Sequence, residues 1–289
     1  MVEMHHFVHN TDIGQNFLTD RSVVEWMVKR ADLKASDCVL EIGPGAGILT
    51  EGLLSSQCAA VCTIELDTRL KHAIEMLAIK DKRLTALWGD AVKFDYERSL
   101  PWYPNKIIAN LPYHITTPLM WVFLEKLVKH GLVYMLLMVQ LESAQRIVAK
   151  QCGRERSPLG ITIQAMGRCE ITREVPQSAF KPQPRVRSCI IEMKIEKNLD
   201  LPLNRTWRAL LARSFMHRRK TLVNNWMAGY AGMTRELAQD ILERHGLVMS
   251  ARAEELSLDT WLDLAKEPLF LIEEKNDRRD GAGFDVEPE

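Results

Sequence analysis

The chain has 289 residues, 46% of them hydrophobic and 26% charged, which excludes a disordered or fibrous protein and leaves room for one large domain or two smaller ones. No apolar run approaches the roughly 20 residues that a bilayer-spanning helix needs, and Met1-Val2-Glu3-Met4-His5-His6 lacks the basic lead-in of a signal peptide. The six cysteines are scattered, with no Cys-x-x-Cys pair and no zinc-site spacing, so reduced thiols, a cytoplasmic address and no metal are expected.

The formal net charge of zero hides an asymmetry: residues 144–220 carry 17 Lys/Arg against 6 Asp/Glu. Arg205, Arg208, Arg213, Arg218, Arg219 and Lys220 follow one another with no acid between them. Such clustering is the footprint of a polyanion-binding face. A merely solvated helix face has the same composition.

Apolar, strand-like runs at 38–42, 59–64, 84–88, 106–109 and 133–139 alternate with helically spaced segments at 21–31, 47–55, 68–79 and 118–130. This alternation predicts an α/β fold with a parallel, doubly wound sheet. Two later strands, 171–175 and 188–195, flank the loop Phe180-Lys181-Pro182-Gln183-Pro184 and suit an antiparallel hairpin at a sheet edge. Beyond about residue 201 the pattern becomes helical, over 204–215, 220–227, 234–245 and 257–264, with breaks near Gly229, Gly232 and Gly246. The expected division is an α/β domain over 1–200, a small all-helical domain over 201–272, and a charged, disordered tail over 273–289.

Glu41-Ile42-Gly43-Pro44-Gly45-Ala46-Gly47 joins a buried-strand pattern directly to a helix. Glycines at such a turn accept positive φ and let a ligand approach the backbone. A tight turn without a ligand uses the same residues. Glu65, at the end of the second strand, can accept both ribose hydroxyls of an adenosine cofactor. Asp90, after the third, can accept a hydrogen bond from an adenine amino group. Either acid also suits a helix cap. The loop alone does not separate a nicotinamide dinucleotide from S-adenosylmethionine.

Asn110-Leu111-Pro112-Tyr113, after the fourth strand, favours the second cofactor. An exocyclic amine on a flat base is a poor nucleophile, because its lone pair is delocalised into the ring. The Asn110 side-chain oxygen and the Leu111 carbonyl can accept hydrogen bonds from that amine and draw the nitrogen towards tetrahedral geometry. Pro112 stiffens the turn. Tyr113 offers a ring for the base, and such stacking contributes about 1–3 kcal/mol.

With Gln15-Asn16-Phe17-Leu18 near the start, and Phe180 to Val186 and Arg218-Arg219-Lys220-Thr221-Leu222 later, these motifs resemble the small-subunit (16S) rRNA adenine-N6,N6-dimethyltransferases of KsgA type. The resemblance implies a Rossmann-like class I S-adenosylmethionine-dependent methyltransferase with a small helical C-terminal domain. It implies dimethylation of two adjacent adenosines in the 3′-terminal hairpin loop of small-subunit rRNA, on immature 30S subunits, by a monomer with no membrane partner. Carried over by motif, Asn16, Leu18, Gly43, Gly45, Glu65, Asp90 and Asn110 contact the cofactor. Asn110, Leu111 and Tyr113 hold the adenine, with Phe180 as a second stacking ring, and Arg218, Arg219 and Lys220 contact RNA. The chain departs from the family pattern at Asp12-Ile13, at His114, where Asn is commoner, and at Arg187, where an acid is usual. These departures bear on RNA docking at the rim, not on the reaction.

Two other readings stay open at this level. The large-subunit rRNA methyltransferases of macrolide resistance share fold and chemistry. A binding factor, for ribosome assembly or mitochondrial transcription, could have descended from the same family.

Overall fold

The computed structural model describes residues 16–196 and 205–271. The described residues divide into two compact units, 16–145 with 167–196, and 146–166 with 205–271.

The first unit opens with a two-residue strand, β1 (Phe17–Leu18), and helix α1 (Arg21–Ala31). Asp20 caps α1 by accepting the Ser22 N–H at 2.9 Å, which satisfies one of the backbone donors a helix start leaves unpaired. Val23, Val24, Met27 and Ala31, at helical spacing, are its buried stripe. Then come β2 (Cys38–Ile42), α2 (Ile48–Leu54), β3 (Ala60–Glu65), α3 (Lys71–Lys80), β4 (Leu84–Trp88), α4 (Tyr96–Ser99), β5 (Lys106–Asn110), α5 (Thr116–Lys126) and β6 (Tyr134–Gln140). Strands β2 to β6 pair in parallel. Parallel neighbours need a crossover between them, which explains the intervening helices. A strand covered on both faces has no polar side to show: every residue from Tyr134 to Val139 is buried.

Helices α6 (Leu141–Val148) and α7 (Pro158–Met166) lead to β7 (Gly167–Val175), β8 (Phe180–Lys181) and β9 (Ser188–Ile195). The main sheet has the order β4-β3-β2-β5-β6-β9-β7. Its last two strands are antiparallel, with β9 inserted between β6 and the edge strand β7. The expected hairpin is therefore present, and its second strand is the inner one. A separate two-stranded ribbon sets Phe17 opposite Lys181 and Leu18 opposite Phe180.

The direction of winding reverses at β2. From there β3 and β4 are added on one side, while β5 and β6 lie on the other. In open α/β sheets the crevice outside the carboxyl ends of the strands at such a switch point is where ligands bind.

The second unit is helical: α7, α8 (Arg205–Ser214), α9 (Leu222–Gly229), α10 (Arg235–Arg244), α11 (Leu258–Leu264) and α12 (Pro268–Leu271). Thr221, Thr234 and Ser257 cap α9, α10 and α11 through their hydroxyls. Trp207, Trp226 and Trp261 are fully buried in its core. Two of them satisfy the indole N–H within that core, Trp207 on Thr162 Oγ1 at 2.9 Å and Trp226 on Ser214 Oγ at 2.8 Å. Arg156 is 2% exposed and donates through Nη1 to the carbonyls of Glu254 and Leu256.

The four helices expected in this region are present within two residues at each end. Residues 146–166 join the helical unit, which a boundary at residue 200 does not anticipate. The tail over 273–289 lies outside the described residues. Among the described residues no helix is long and apolar enough to cross a membrane, and all six cysteines are free thiols.

Candidate functional site

A cavity in the first unit opens where β2, β3, β4 and β5 end. Gly43, Pro44 and Gly45 follow β2; Glu65 ends β3 and Leu66 follows it; Gly89 and Asp90 follow β4; Asn110 ends β5 and Leu111 to Tyr113 follow it. Asn16, Phe17 and Leu18 also line it. The switch point thus brings the glycine loop and the Asn-Leu-Pro-Tyr segment together, because β2 and β5 are neighbours in the sheet.

The glycine loop needs glycine for two physical reasons. Gly45 has φ +58, in the left-handed region that side chains disfavour. A Cβ there would stand 2.9 Å from Cδ1 of the Phe17 ring. The Gly43 N–H donates to Ile64 O at 2.9 Å and the Gly45 N–H to Glu65 Oε2 at 3.1 Å. The loop after β2 is thereby tied to the end of β3.

Glu65 is 7% exposed, and its other oxygen accepts the Asp67 N–H at 2.9 Å. Burial pushes its carboxyl pKa up, while the N–H groups of Asp67, Gly45 and Leu66 pull it down. A carboxylate has about four acceptor positions. Two are filled by backbone donors, so acceptor capacity remains at the cavity wall for ligand hydroxyls. Glu41, which the sequence reading did not single out as a site residue, also lines the cavity. It is fully buried and accepts Thr50 Oγ1 at 2.7 Å. Burial pushes its pKa up to about 8, against the pull of Thr50 and with a smaller push from Glu65.

Asp90 accepts the Val92 N–H on Oδ1 at 2.9 Å, so one oxygen braces its own turn. The other has no hydrogen bond among the described residues. The side chain of Asn110 likewise has no hydrogen-bond partner among the described residues, although Asn110 closes β5 and stands in register with Met138. The Leu111 N–H donates to Met138 O at 3.0 Å. The chain then leaves the sheet at Pro112, whose φ is −58. The Tyr113 ring lines the cavity while its hydroxyl lies 2.6 Å from Ser188 Oγ on β9.

Not every expected residue reaches this cavity. Phe180 is 3% exposed, packs in the hydrophobic core of the first unit and is absent from the cavity lining. Its pairing with Leu18 holds it there. Arg218, Arg219 and Lys220 are exposed and belong to the second unit. Of these, Arg218 is engaged within its own unit, donating from Nη1 to Arg154 O at 2.7 Å and from Nη2 to Arg156 O at 3.4 Å. Arg213, from the same basic run, lies 4.4 Å over the Tyr230 ring. His114 stands at the cavity lining and is exposed.

A sequence profile described as ribosomal RNA adenine dimethylase matches residues 6–268. The chain is 32% identical over 273 residues to ribosomal RNA small subunit methyltransferase A of Alkaliphilus metalliredigens, covering 92% of this chain and 94% of that protein. To the protein of the same name from Streptococcus pneumoniae it is 34% identical over 277 residues, covering 92% and 93%. Among solved structures, a dimethyladenosine transferase from Plasmodium falciparum superposes with a TM-score of 0.72 at 24% identity, over 90% of this chain and 98% of that one. The 23S rRNA methyltransferase ErmE superposes with 0.63 at 22% identity, over 87% and 98%. These structures share the fold: a Rossmann-like methyltransferase sheet followed by helices.

Proposed function

The chain belongs to the ribosomal RNA adenine dimethylase family, and we propose that it dimethylates N6 of two adjacent adenosines in the 3′-terminal hairpin loop of small-subunit rRNA. We place this activity on immature 30S subunits, in the cytoplasm, with the protein acting as a monomer that has no membrane partner. It is an S-adenosylmethionine-dependent rRNA adenine dimethyltransferase. The finer reading is carried by one observation: the glycine loop with its buried acid and the Asn-Leu-Pro-Tyr segment line one cavity at the switch point of the sheet.

The residues present suit the cofactor. Gly45 has no room for a side chain, because a Cβ would stand 2.9 Å from the Phe17 ring, and Glu65 and Asp90 keep free acceptor capacity at the cavity wall. In this reading Asn16, Leu18, Gly43, Gly45, Glu65 and Asp90 hold S-adenosylmethionine, and Asn110 touches both partners. The bound sulfonium supplies an activated methyl group.

The protein's own contribution is alignment and electrostatics. Asn110 Oδ1 and the Leu111 carbonyl accept hydrogen bonds from the target amine, which localises its lone pair on nitrogen. Pro112 fixes the direction of that carbonyl. The Tyr113 ring stacks on the adenine. Arg219 and Lys220, exposed on the second unit, contact RNA phosphates, and Arg218 shares that role with its bonds to the backbone.

Mapping of methylated adenosines in both rRNAs, from cells lacking the protein and from cells supplied with it, tests this reading. Dimethylation that returns in the small-subunit rRNA supports it. Modification confined to the large-subunit rRNA overturns it.

A further inference from the structure

Ser188 is the first residue of β9. In the sheet it stands opposite Gln140 of β6 on one side and Val175 of β7 on the other. Because β9 runs antiparallel to β6, its first residue lies at the sheet end where β5 and β6 have their carboxyl termini. The Asn-Leu-Pro-Tyr segment emerges at that same end. Ser188 is 1% exposed and does not line the cavity.

Its hydroxyl nevertheless reaches the site through Tyr113. The two oxygens are 2.6 Å apart, at the short end for an O–H···O bond. A tyrosine whose ring faces a ligand cavity needs a partner for its hydroxyl if the ring is to keep one position. The backbone secures one end of this side chain, through the Leu111 N–H on Met138 O and the restricted Pro112. Ser188 secures the other. The tether crosses β6, so the ring is fixed by two strands, β5 and β9, that are far apart in sequence. The Tyr113 hydroxyl also stays protonated over an extended range, since burial pushes its pKa up. It therefore keeps its proton for this bond at working pH.

We infer that Ser188 is a positioning residue for the methyl-transfer reaction, holding the Tyr113 ring where the target adenine stacks. This inference rests on the reading that Tyr113 is the stacking ring. Ser188 touches neither the base nor the cofactor, so its effect falls on RNA use and not on cofactor affinity.

The test compares Ser188→Ala, Tyr113→Phe, the double variant and Tyr113→Ala. The readouts are kcat and KM for 30S subunits lacking the modification, and Kd for S-adenosylmethionine. Ser188→Ala and Tyr113→Phe delete the same bond from opposite sides, so each lowers kcat/KM for the subunit about fivefold, the change expected from a net hydrogen bond of about 1 kcal/mol. The double variant loses no more than either single one. The Kd for S-adenosylmethionine is unchanged throughout. A merely structural serine would weaken cofactor binding in parallel, or add to Tyr113→Phe, and either result overturns the inference. So does a Ser188→Ala enzyme with unaltered kcat/KM alongside a Tyr113→Ala enzyme that has lost it. If Tyr113→Ala itself leaves kcat/KM unchanged, the stacking reading fails and takes the inference with it. Should Ser188→Ala not fold, Tyr113→Phe removes the bond without touching β9, and full activity in that variant is the contrary result.

Discussion

The carboxylate of Glu65 accepts the backbone N–H of Gly45 at 3.1 Å, so the acid that ends β3 and the loop that follows β2 form one unit. A ligand held by Glu65 is therefore also held against the Gly45 backbone. Replacing Glu65 by Ala removes a buried acceptor at the cavity wall and releases the loop. Hydrogen bonds to a charged group contribute about 1.5–3 kcal/mol, so the Kd for S-adenosylmethionine is expected to rise on the order of tenfold to a hundredfold. Gly45→Ala is expected to be as harmful, because its Cβ meets Phe17 and its φ is positive. Calorimetric titration of both variants checks this. Wild-type affinity in Glu65→Ala would remove Glu65 from the cofactor site.

Asn110 separates chemistry from docking. Its amide has no hydrogen-bond partner among the described residues, so Asn110→Ala removes no hydrogen bond among them. Loss of one preorganised polar group at a reacting centre lowers kcat by about 10²–10³. Single-turnover methylation should show that loss while subunit binding, measured by co-sedimentation, persists. Loss of both together would mean that Asn110 shapes the fold of the site instead.

Glu41 sets a pH dependence of stability. Burial raises its folded-state pKa from 4.5 to about 8, so the folded protein holds a proton that the unfolded chain releases. That contribution is complete below the ordinary carboxylate range and is lost as pH rises through about 8. Glu41→Gln keeps an acceptor for Thr50 and cannot ionise. Its Tm, relative to wild type, is expected to climb between pH 5 and pH 8. A constant difference across that range would mean that Glu41 is ionised in the folded protein.

The basic run divides by what each side chain does. Arg218 spans the carbonyls of Arg154 and Arg156, so Arg218→Gln lowers Tm as well as RNA affinity. Arg219→Gln and Lys220→Gln leave Tm unchanged and each reduce the salt slope of RNA binding by about one. A salt titration of each variant, paired with a melting curve, reads both quantities. Unchanged slopes for Arg219 and Lys220 would take this face away from the RNA.

Much of this arrangement is legible in the sequence, for reasons that can be named. Met135 to Val139 is apolar without alternation because parallel strands are covered on both faces. Glu65 and Asp90 are legible because one ends an apolar strand pattern and the other follows the next such strand. Helices α6 and α7 are not. Between them Gly153 and Ser157-Pro158 interrupt the pattern, and the run Leu159 to Ile163 suits a strand equally well. Ser188 is invisible for a different reason: only the antiparallel register of β9 brings it beside Tyr113, 75 residues away. Phe180 shows the reverse case, since its motif suggests a stacking ring and its pairing with Leu18 puts it in the core. Phe180→Ala is accordingly expected to cost about 3–5 kcal/mol of stability, measured by denaturant unfolding. Full stability with lost activity would restore it to the base site.

The most direct measurement is transfer of labelled methyl from S-adenosylmethionine to 30S subunits lacking the modification, followed by nucleoside analysis and mapping. N6,N6-dimethyladenosine is expected at two adjacent positions near the 3′ end of the small-subunit rRNA. Absence of label from 30S subunits under conditions where the protein binds S-adenosylmethionine, or label found only on large-subunit RNA, would contradict the proposed function.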